Sequence, residues 1–321
     1  MKAALIFGLI AFALAVLIAP LLIKLLVRLK TGQNILKYVD QHEKKGGTPT
    51  IGGLIFLLPL FALSPFFLSA ETPLGIVAVA TTFAYGLLGF LDDYLKIKGH
   101  NNLGLRAYQK IIGQVGIALL VSWFYLRANP SGTVFIPFVS GTFDLGAWIF
   151  PLSLLALIAT TNAVNLTDGL DGLAGSVSVV YLFALSGLIL ILPNVAEAET
   201  LIKICAVLAF AILGFLVFNT NKASIFMGDT GSLAIGGLIA AVSLFSGLVF
   251  YILILGIMFV VSAASVIAQV LYFKVSHGKR IFLMSPFHHH LEKKGLTEPK
   301  IVFIYSAITA LISALTFAIL L

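Results

Sequence analysis

The stretch "ALIFGLIAFALAVLIAPLL", residues 4–22, decides the class of fold to which this chain belongs. It runs for 19 residues without a charged side chain and is followed by Lys24, Arg28 and Lys30. A helix of about 20 apolar residues is long enough to cross the hydrocarbon core of a bilayer. No small-residue cleavage site follows the run, so we expect a retained transmembrane helix and not a removable signal peptide.

The composition extends that prediction to the whole chain. Of the 321 residues, 60% are hydrophobic and 10% are charged, and the mean hydropathy is +1.09. A soluble domain of this composition could not cover its surface with polar groups. We therefore predict a single integral membrane domain over residues 1–321, all-α, with about ten transmembrane helices. The predicted spans are 4–23, 51–70, 74–91, 110–127, 146–163, 173–192, 201–218, 232–247, 249–272 and 301–320.

The basic residues predict the orientation of these spans. Of the 20 Lys and Arg residues, 17 fall in one set of loops, which the positive-inside rule places in the cytosol. Both termini are then outside, as is the segment 131–146, whose alternating pattern indicates a hairpin. All six histidines and five of the aspartates fall on the cytosolic side. This asymmetry predicts an active-site cleft that faces the cytosol.

The net charge and the cysteine count exclude two further features. The net charge of +7 is explained by the cytosolic loops, so it does not indicate a nucleic-acid partner. Cys205 is the only cysteine and lies in an apolar run, so an intramolecular disulfide is excluded.

The first polar motif is "GFLDDYLKIKGHNNLGLRAYQK", residues 89–110, which begins at the end of an apolar span. A charge there is costly unless it reaches water, a cation or a partner. Asp92 and Asp93 point about 100° apart on a helix, so they need not share a role. Lys96 can pair with either acid or bind a phosphate. Two interpretations are open at this point, a solvated helix end and a base or metal site.

The second motif is "TTNAVNLTDGLDGLAG", residues 160–175, where two Asn and two Asp recur at steps of three. Asp168 could be a helix cap. Capping does not explain Asn162, Asn165 and Asp171 as well, which favours a pocket that binds a polar ligand.

The third motif is "FNTNKASIFMGDTGS", residues 218–232, in which Asp229 opens an apolar span. A helix N-terminus suits a phosphate, and a carboxylate there suits a divalent cation. A simple N-cap is the alternative interpretation.

The fourth motif is "SPFHHHLEKKG", residues 285–295. Mg²⁺ prefers oxygen ligands, and three consecutive helical histidines do not converge on one Zn²⁺. Hydrogen bonding to a phosphate or sugar and a solvated loop are both open. Taken together, the acids, basic residues and Gly-rich turns predict phosphoryl transfer to or from a lipid.

Four motifs in order resemble one known family. "DDYLK" (92–96), "NAVNLTDGLDGLAG" (162–175), "FMGDTGSL" (226–233) and "PFHHHLEKKG" (286–295) are similar to motifs of the phospho-N-acetylmuramoyl-pentapeptide transferases, within the polyprenyl-phosphate N-acetylhexosamine-1-phosphate transferase superfamily. The resemblance implies Mg²⁺-dependent transfer of phospho-MurNAc-pentapeptide from UDP-MurNAc-pentapeptide to undecaprenyl phosphate, which gives lipid I and UMP. It also implies ten helices, a homodimer and the bacterial cytoplasmic membrane.

The resemblance also implies roles for individual residues. Asp229 is similar to the Mg²⁺ ligand, and Asp92 and Asp93 resemble an acid pair in which Asp92 is the base for the lipid phosphate. His289 completes the expected catalytic set. The expected substrate-binding residues are Lys45, Thr50, Lys96, Asn165, Asp168, Gly169, Leu170, Asp171, Asn219, Ser232, Gln269, His288, His289 and His290.

Two rival functions are retained. The nearer one is transfer of GlcNAc-1-phosphate from UDP-GlcNAc to the same lipid, and the unbroken run His288–His290 favours the muramoyl substrate over it. The more distant rival is a secondary transporter, which would place ionisable residues near the centres of its spans. The sequence does not decide between direct displacement and a covalent intermediate.

Overall fold

The computed structural model describes residues 1–29, 47–99 and 104–321. Lys45, which the sequence predicts to line a nucleotide cleft, lies outside these residues. Within them the chain is almost entirely helical. In chain order the helices are α1 Lys2–Arg28, α2 Leu54–Leu63, α3 Pro73–Lys98, α4 Ala107–Ala128, α5 Ile149–Thr167, α6 Leu173–Ile191, α7 Ala198–Asn219, α8 Gly228–Phe245, α9 Ile252–Leu255, α10 Ile257–Val275, α11 Phe287–Lys293 and α12 Glu298–Leu320.

Among the described residues, nine helices are long and apolar enough to cross a membrane. They are α1, α3, α4, α5, α6, α7, α8, α10 and α12, in agreement with the prediction of an all-α polytopic membrane protein. The second predicted span is shorter than expected. It forms α2 and a 3₁₀ turn at Ser64–Phe66, and together they cover residues 54–66. At about 1.5 Å per residue, this segment is shorter than the roughly 30 Å hydrocarbon core.

The predicted span over residues 249–272 is interrupted. A 3₁₀ turn at Val249–Tyr251 leads into α9, and α10 begins only after Gly256. Glycine is a weak helix former, which accounts for a break at this position in an otherwise apolar run. The eighth and ninth predicted spans are separate helices, as expected.

Helix α8 lies at the centre of the bundle. It packs most extensively against α3 and also against α5, and nearly all of its residues are buried. Its sequence "GDTGSLAIGGLIAAVSLF" is rich in Gly, Ala and Ser. Small residues allow neighbouring membrane helices to approach closely, which places the first turn of α8 against the end of α3.

One end of the bundle carries the predicted hairpin and both termini. Strands β1 Thr133–Phe135 and β2 Thr142–Asp144 pair antiparallel, and Phe135 N donates to Gly247 O just beyond α8. Leu320 lines a cavity with this hairpin, and Met1 lies beside the α6–α7 connection at the same end. The predicted polar motifs lie at the opposite end of the bundle. Seven helix ends meet there: the last turns of α3, α5 and α7 and the first turns of α4, α6, α8 and α12.

Candidate active site

Three carboxylates converge at this second end of the bundle. Asp92 and Asp93 lie near the end of α3, and Asp229 lies in the first turn of α8. One oxygen of each lies within 4.8 Å of the others. Asp92 and Asp93 are buried and Asp229 is partly exposed. The sequence assigned metal binding to Asp229 alone, whereas the structure brings all three acids together.

Asp93 anchors the N-terminus of α8. Its Oδ2 accepts hydrogen bonds from Thr230 N at 2.9 Å and from Thr230 Oγ1 at 2.7 Å, and its Oδ1 accepts from Asp229 N at 3.2 Å. A carboxylate at a helix N-terminus satisfies otherwise unpaired N–H groups and complements the helix dipole. Asp93 therefore holds the backbone that carries Asp229.

Gly228 makes this contact possible. Its φ is +69°, a conformation that favours glycine, and a Cβ atom would lie 2.6 Å from Thr50 Oγ1 and closer still to Asp93. Thr50 is buried, and it reaches the site from the segment that precedes α2. The structure thus places Thr50 beside the carboxylates, and its contact with a nucleotide stays a prediction.

Two ammonium groups contact the carboxylates. Lys96 Nζ lies 2.8 Å from Asp229 Oδ2 and also pairs with Asp92, one helical turn away on α3. Lys110 Nζ, from the first turn of α4, lies 3.0 Å from the same Asp229 oxygen. The sequence predicted Lys96 for the site but missed Lys110. Lys110 is the last residue of the first motif, but nothing in the sequence indicated that it would contact Asp229.

Asn165 holds the other oxygen of Asp229. Its Nδ2 donates to Asp229 Oδ1 at 2.6 Å and to Ser232 Oγ at 2.8 Å. The amides of Gln114 and Asn162 bond to each other one helical turn deeper, where Asn162 Nδ2 donates to Gln114 Oε1 at 2.8 Å. α4 and α5 are thus joined twice, through Asp229 at the carboxylates and through the Gln114–Asn162 pair one helical turn further into the bundle.

The donor set fits a hard divalent cation. Mg²⁺ prefers oxygen ligands, and three clustered carboxylates supply them. Lys96 and Lys110 both contact Asp229 Oδ2, so the negative charge of the cluster is partly neutralised by this chain's own side chains. A cation and two ammonium groups around three acids make a site suited to a diphosphate.

The turn between α5 and α6 lies beside this cluster. Asp168 is partly exposed, and withdrawal from water raises its pKa well above the usual value, with a further rise from the negative charges of Asp229, Asp93 and Asp171. Leu170, in the same turn, is buried in the core.

Asp171 and Asn219 brace that turn from the side of α7. The Asp171 carboxylate accepts from Ala223 N at 3.0 Å, and its own N–H donates to Glu298 Oε2 at 3.3 Å. Asn219 Oδ1 accepts from Gly172 N at 3.0 Å, and its Nδ2 donates to Ile225 O at 2.8 Å. All of these contacts are within the protein, so substrate binding by either residue stays a prediction.

Two of the three consecutive histidines approach the same turn. A Cβ atom on Gly169 would lie 3.0 Å from His289 Nε2 and closer still to His288 Nε2, so the absence of a side chain permits the approach. His288 is fully buried, and this burial, with a smaller effect of His289, lowers its pKa to about 3. Among the described residues neither ring nitrogen of His288 has a hydrogen-bond partner.

His290 and Gln269 make a different kind of contact. His290 Nδ1 accepts from Leu283 N at 3.1 Å, and its ring packs against Phe282 and Phe287. Gln269 Oε1 accepts from Phe282 N at 2.9 Å. Both side chains hold the segment that precedes α11, and their predicted contact with substrate stays a prediction.

Comparison with known proteins identifies the family. The sequence profile of glycosyl transferase family 4 matches residues 75–247, more than half of the chain. A phospho-N-acetylmuramoyl-pentapeptide-transferase of Clostridium kluyveri is 43% identical over 311 residues, which cover 96% of each protein. One of Listeria innocua is 44% identical over 301 residues, 92% of this chain and 91% of that protein. The chain therefore belongs to the phospho-N-acetylmuramoyl-pentapeptide transferases of glycosyl transferase family 4.

Proposed function

We propose that this protein transfers phospho-MurNAc-pentapeptide from UDP-MurNAc-pentapeptide to undecaprenyl phosphate, in a Mg²⁺-dependent reaction that yields lipid I and UMP. This is the first membrane step of peptidoglycan synthesis. The observation that carries the proposal is the cluster of three carboxylates and two ammonium groups at one end of a membrane bundle. A lipid phosphate and a soluble nucleotide can meet only at such an interface.

The reaction is a direct displacement at phosphorus. A phosphate oxygen of the lipid forms a bond to the phosphorus that carries the sugar, and the bond from that phosphorus to the bridging oxygen breaks. UMP leaves with the electron pair. Asp93 is engaged by three donors of α8, which disfavours it as a covalent nucleophile. We assign Asp92 as the base that takes the proton of the lipid phosphate.

The charged groups of the cluster bind and orient the diphosphate. Asp229, with Asp92 and Asp93 beside it, would hold Mg²⁺, which when bound stabilises negative charge on the phosphates. Lys96 and Lys110 would bind diphosphate oxygens and stabilise the charge that develops on the leaving UMP. Asn165, which also donates to Ser232, holds the Asp229 carboxylate in place while the phosphates bind.

The turn between α5 and α6 would bind the nucleotide. Asp168 supplies a partly exposed polar side chain to this turn, and His288 and His289 pack against Gly169. We propose that Thr50, which lies beside Gly228 and Asp93, lines the cleft, and that Lys45, five residues earlier in the sequence, also binds the nucleotide.

We propose that the cleft faces the cytosol of a bacterium, in its cytoplasmic membrane, and that the single membrane domain works as a homodimer. Two observations support this orientation. Both termini lie at the end of the bundle opposite the site, and 17 of the 20 Lys and Arg residues fall in the set of loops to which the polar motifs belong.

Release of radiolabelled UMP from UDP-MurNAc-pentapeptide tests the function. We expect release that requires both undecaprenyl phosphate and Mg²⁺. Unlabelled UDP-GlcNAc in excess should compete poorly. Turnover of UDP-GlcNAc in preference to the muramoyl nucleotide would support the rival transferase, and substrate movement across vesicles without UMP release would support a transporter.

A further inference from the structure

Glu292 contacts one of the two histidines beside the nucleotide turn. Its Oε2 lies 3.0 Å from His289 Nδ1, three residues earlier on α11. Both side chains are largely shielded from water, with 14% of His289 and 10% of Glu292 exposed. Glu292 has no part in the mechanism described above.

The pair differs from an ordinary surface ion pair. Glu199 and Lys203 on α7 form such a pair at the other end of the bundle, and the Glu199 side chain is 73% exposed. Exposed pairs contribute little to stability and are easily lost. Burial of a carboxylate costs free energy unless the carboxylate is paired. The contact with His289 offsets part of that cost at Glu292.

The chemistry of the contact fixes the proton on His289. An ionised carboxylate only accepts hydrogen bonds, so Nδ1 must donate. In a neutral imidazole the lone pair then lies on Nε2, the atom that approaches Gly169. Carboxylates that orient histidine ligands in metal sites act in the same way.

We propose that Glu292 is a positioning residue that holds His289 as the Nδ1-protonated tautomer, so that Nε2 accepts a hydrogen bond from an N–H or O–H group of the bound nucleotide. This inference rests on the proposed function for the identity of the ligand. The tautomer itself is independent of that function.

Glu292→Gln is the sharpest variant because it preserves the size of the side chain. The amide can either accept from Nδ1 or donate to it, so the obligation to accept is removed together with the negative charge. Glu199→Gln is the matched control on the exposed pair. All variants are the full chain in lipid nanodiscs, and UMP is the probe.

Two measurements test the proposal. In ¹⁵N NMR of histidine-labelled protein, with the His289 signal assigned by His289→Gln, the unsubstituted chain should show Nδ1–H and Glu292→Gln a mixture of tautomers. In calorimetric titration, Glu292→Gln and His289→Gln should each weaken UMP binding about tenfold, the loss of one hydrogen bond. The double variant should bind no more weakly than either, because Glu292 acts through His289.

Three results would overturn the proposal. They are an Nε2–H tautomer in the unsubstituted chain, unchanged UMP affinity in Glu292→Gln, and losses that add to about a hundredfold in the double variant. Additive losses would show that Glu292 does not act through His289. If the unsubstituted chain bound no UMP, the proposed function would fail, and the NMR result would still decide whether Glu292 fixes the tautomer.

Discussion

Thr230 Oγ1 on α8 donates a 2.7 Å hydrogen bond to Asp93 Oδ2 on α3, which joins two segments that lie 137 residues apart in the sequence. The same carboxylate oxygen accepts from the Thr230 N–H. The residue before Thr230 is Asp229, whose own N–H also bonds to Asp93. The position of the proposed metal ligand therefore depends on an acid that is itself fixed by the backbone of α8.

Replacement of Thr230 should weaken this junction. Thr230→Val removes the hydroxyl donor to a buried carboxylate and should cost about 1–3 kcal/mol of stability. Thr230→Ser keeps the hydroxyl and serves as the control. The thermal unfolding midpoint in detergent should fall for the Val variant and change much less for the Ser variant. Equal midpoints for all three proteins would show that the bond contributes nothing.

Lys110 should matter for activity although it is not among the predicted site residues. Lys110→Met keeps the length of the side chain but removes one of the two ammonium groups on Asp229 Oδ2. We expect UMP release to fall by at least about tenfold, because a charge-assisted contact to the reacting phosphates is lost. Lys203→Met, at the other end of the bundle, should leave the rate unchanged. Similar rates for the two variants would argue against a role for Lys110.

Replacement of a histidine beside the nucleotide turn should affect activity more than replacement of an exposed histidine. His289→Ala should lower the rate of UMP release far more than His277→Ala, since His289 lies beside Gly169 whereas His277 lies in an exposed loop. Small and equal effects of the two substitutions would favour the alternative interpretation, in which the three histidines belong to a solvated loop.

His288 should make the protein sensitive to acid. Its pKa is about 3 in the fold and about 6.5 in the unfolded chain, so the unfolded state binds the proton first as the pH falls. Stability is therefore present above pH 6.5 and is lost as the pH falls from 6.5 towards 3, by up to about 1.4 kcal/mol per pH unit. The fall in the thermal midpoint between pH 6.5 and pH 5 should be smaller for His288→Asn than for the unsubstituted chain. Parallel curves would contradict this assignment.

Local patterns predicted the elements well. Long apolar runs predicted eight of the nine described long helices, although α1 ends at Arg28 and not at residue 23, and α3 ends at Lys98 and not at residue 91. Alternation over residues 131–146 predicted the hairpin. Hydropathy did not predict the short α2 or the break at Gly256, because both segments are apolar throughout and their lengths depend on how they pack.

The candidate site was predicted where a motif marks it and missed where only folding brings residues together. Asp92, Asp93 and Asp229 stand in recognisable polar segments at span ends. Lys110 is a single basic residue whose contact with Asp229 spans 119 residues of sequence. Glu292 lies within a motif, but its importance depends on the orientation of the His289 ring, which spacing alone does not give.

The metal assignment is the centre of the account, and Asp229→Asn tests it most directly. Asp144→Asn, in the exposed hairpin at the other end of the bundle, is the control. UMP release is measured against Mg²⁺ concentration for both variants and the unsubstituted chain, and folding is checked by size-exclusion chromatography. We predict that Asp229→Asn remains folded but loses Mg²⁺-dependent turnover, while Asp144→Asn matches the unsubstituted chain. Near-normal turnover by Asp229→Asn at the same Mg²⁺ concentrations would contradict the assignment.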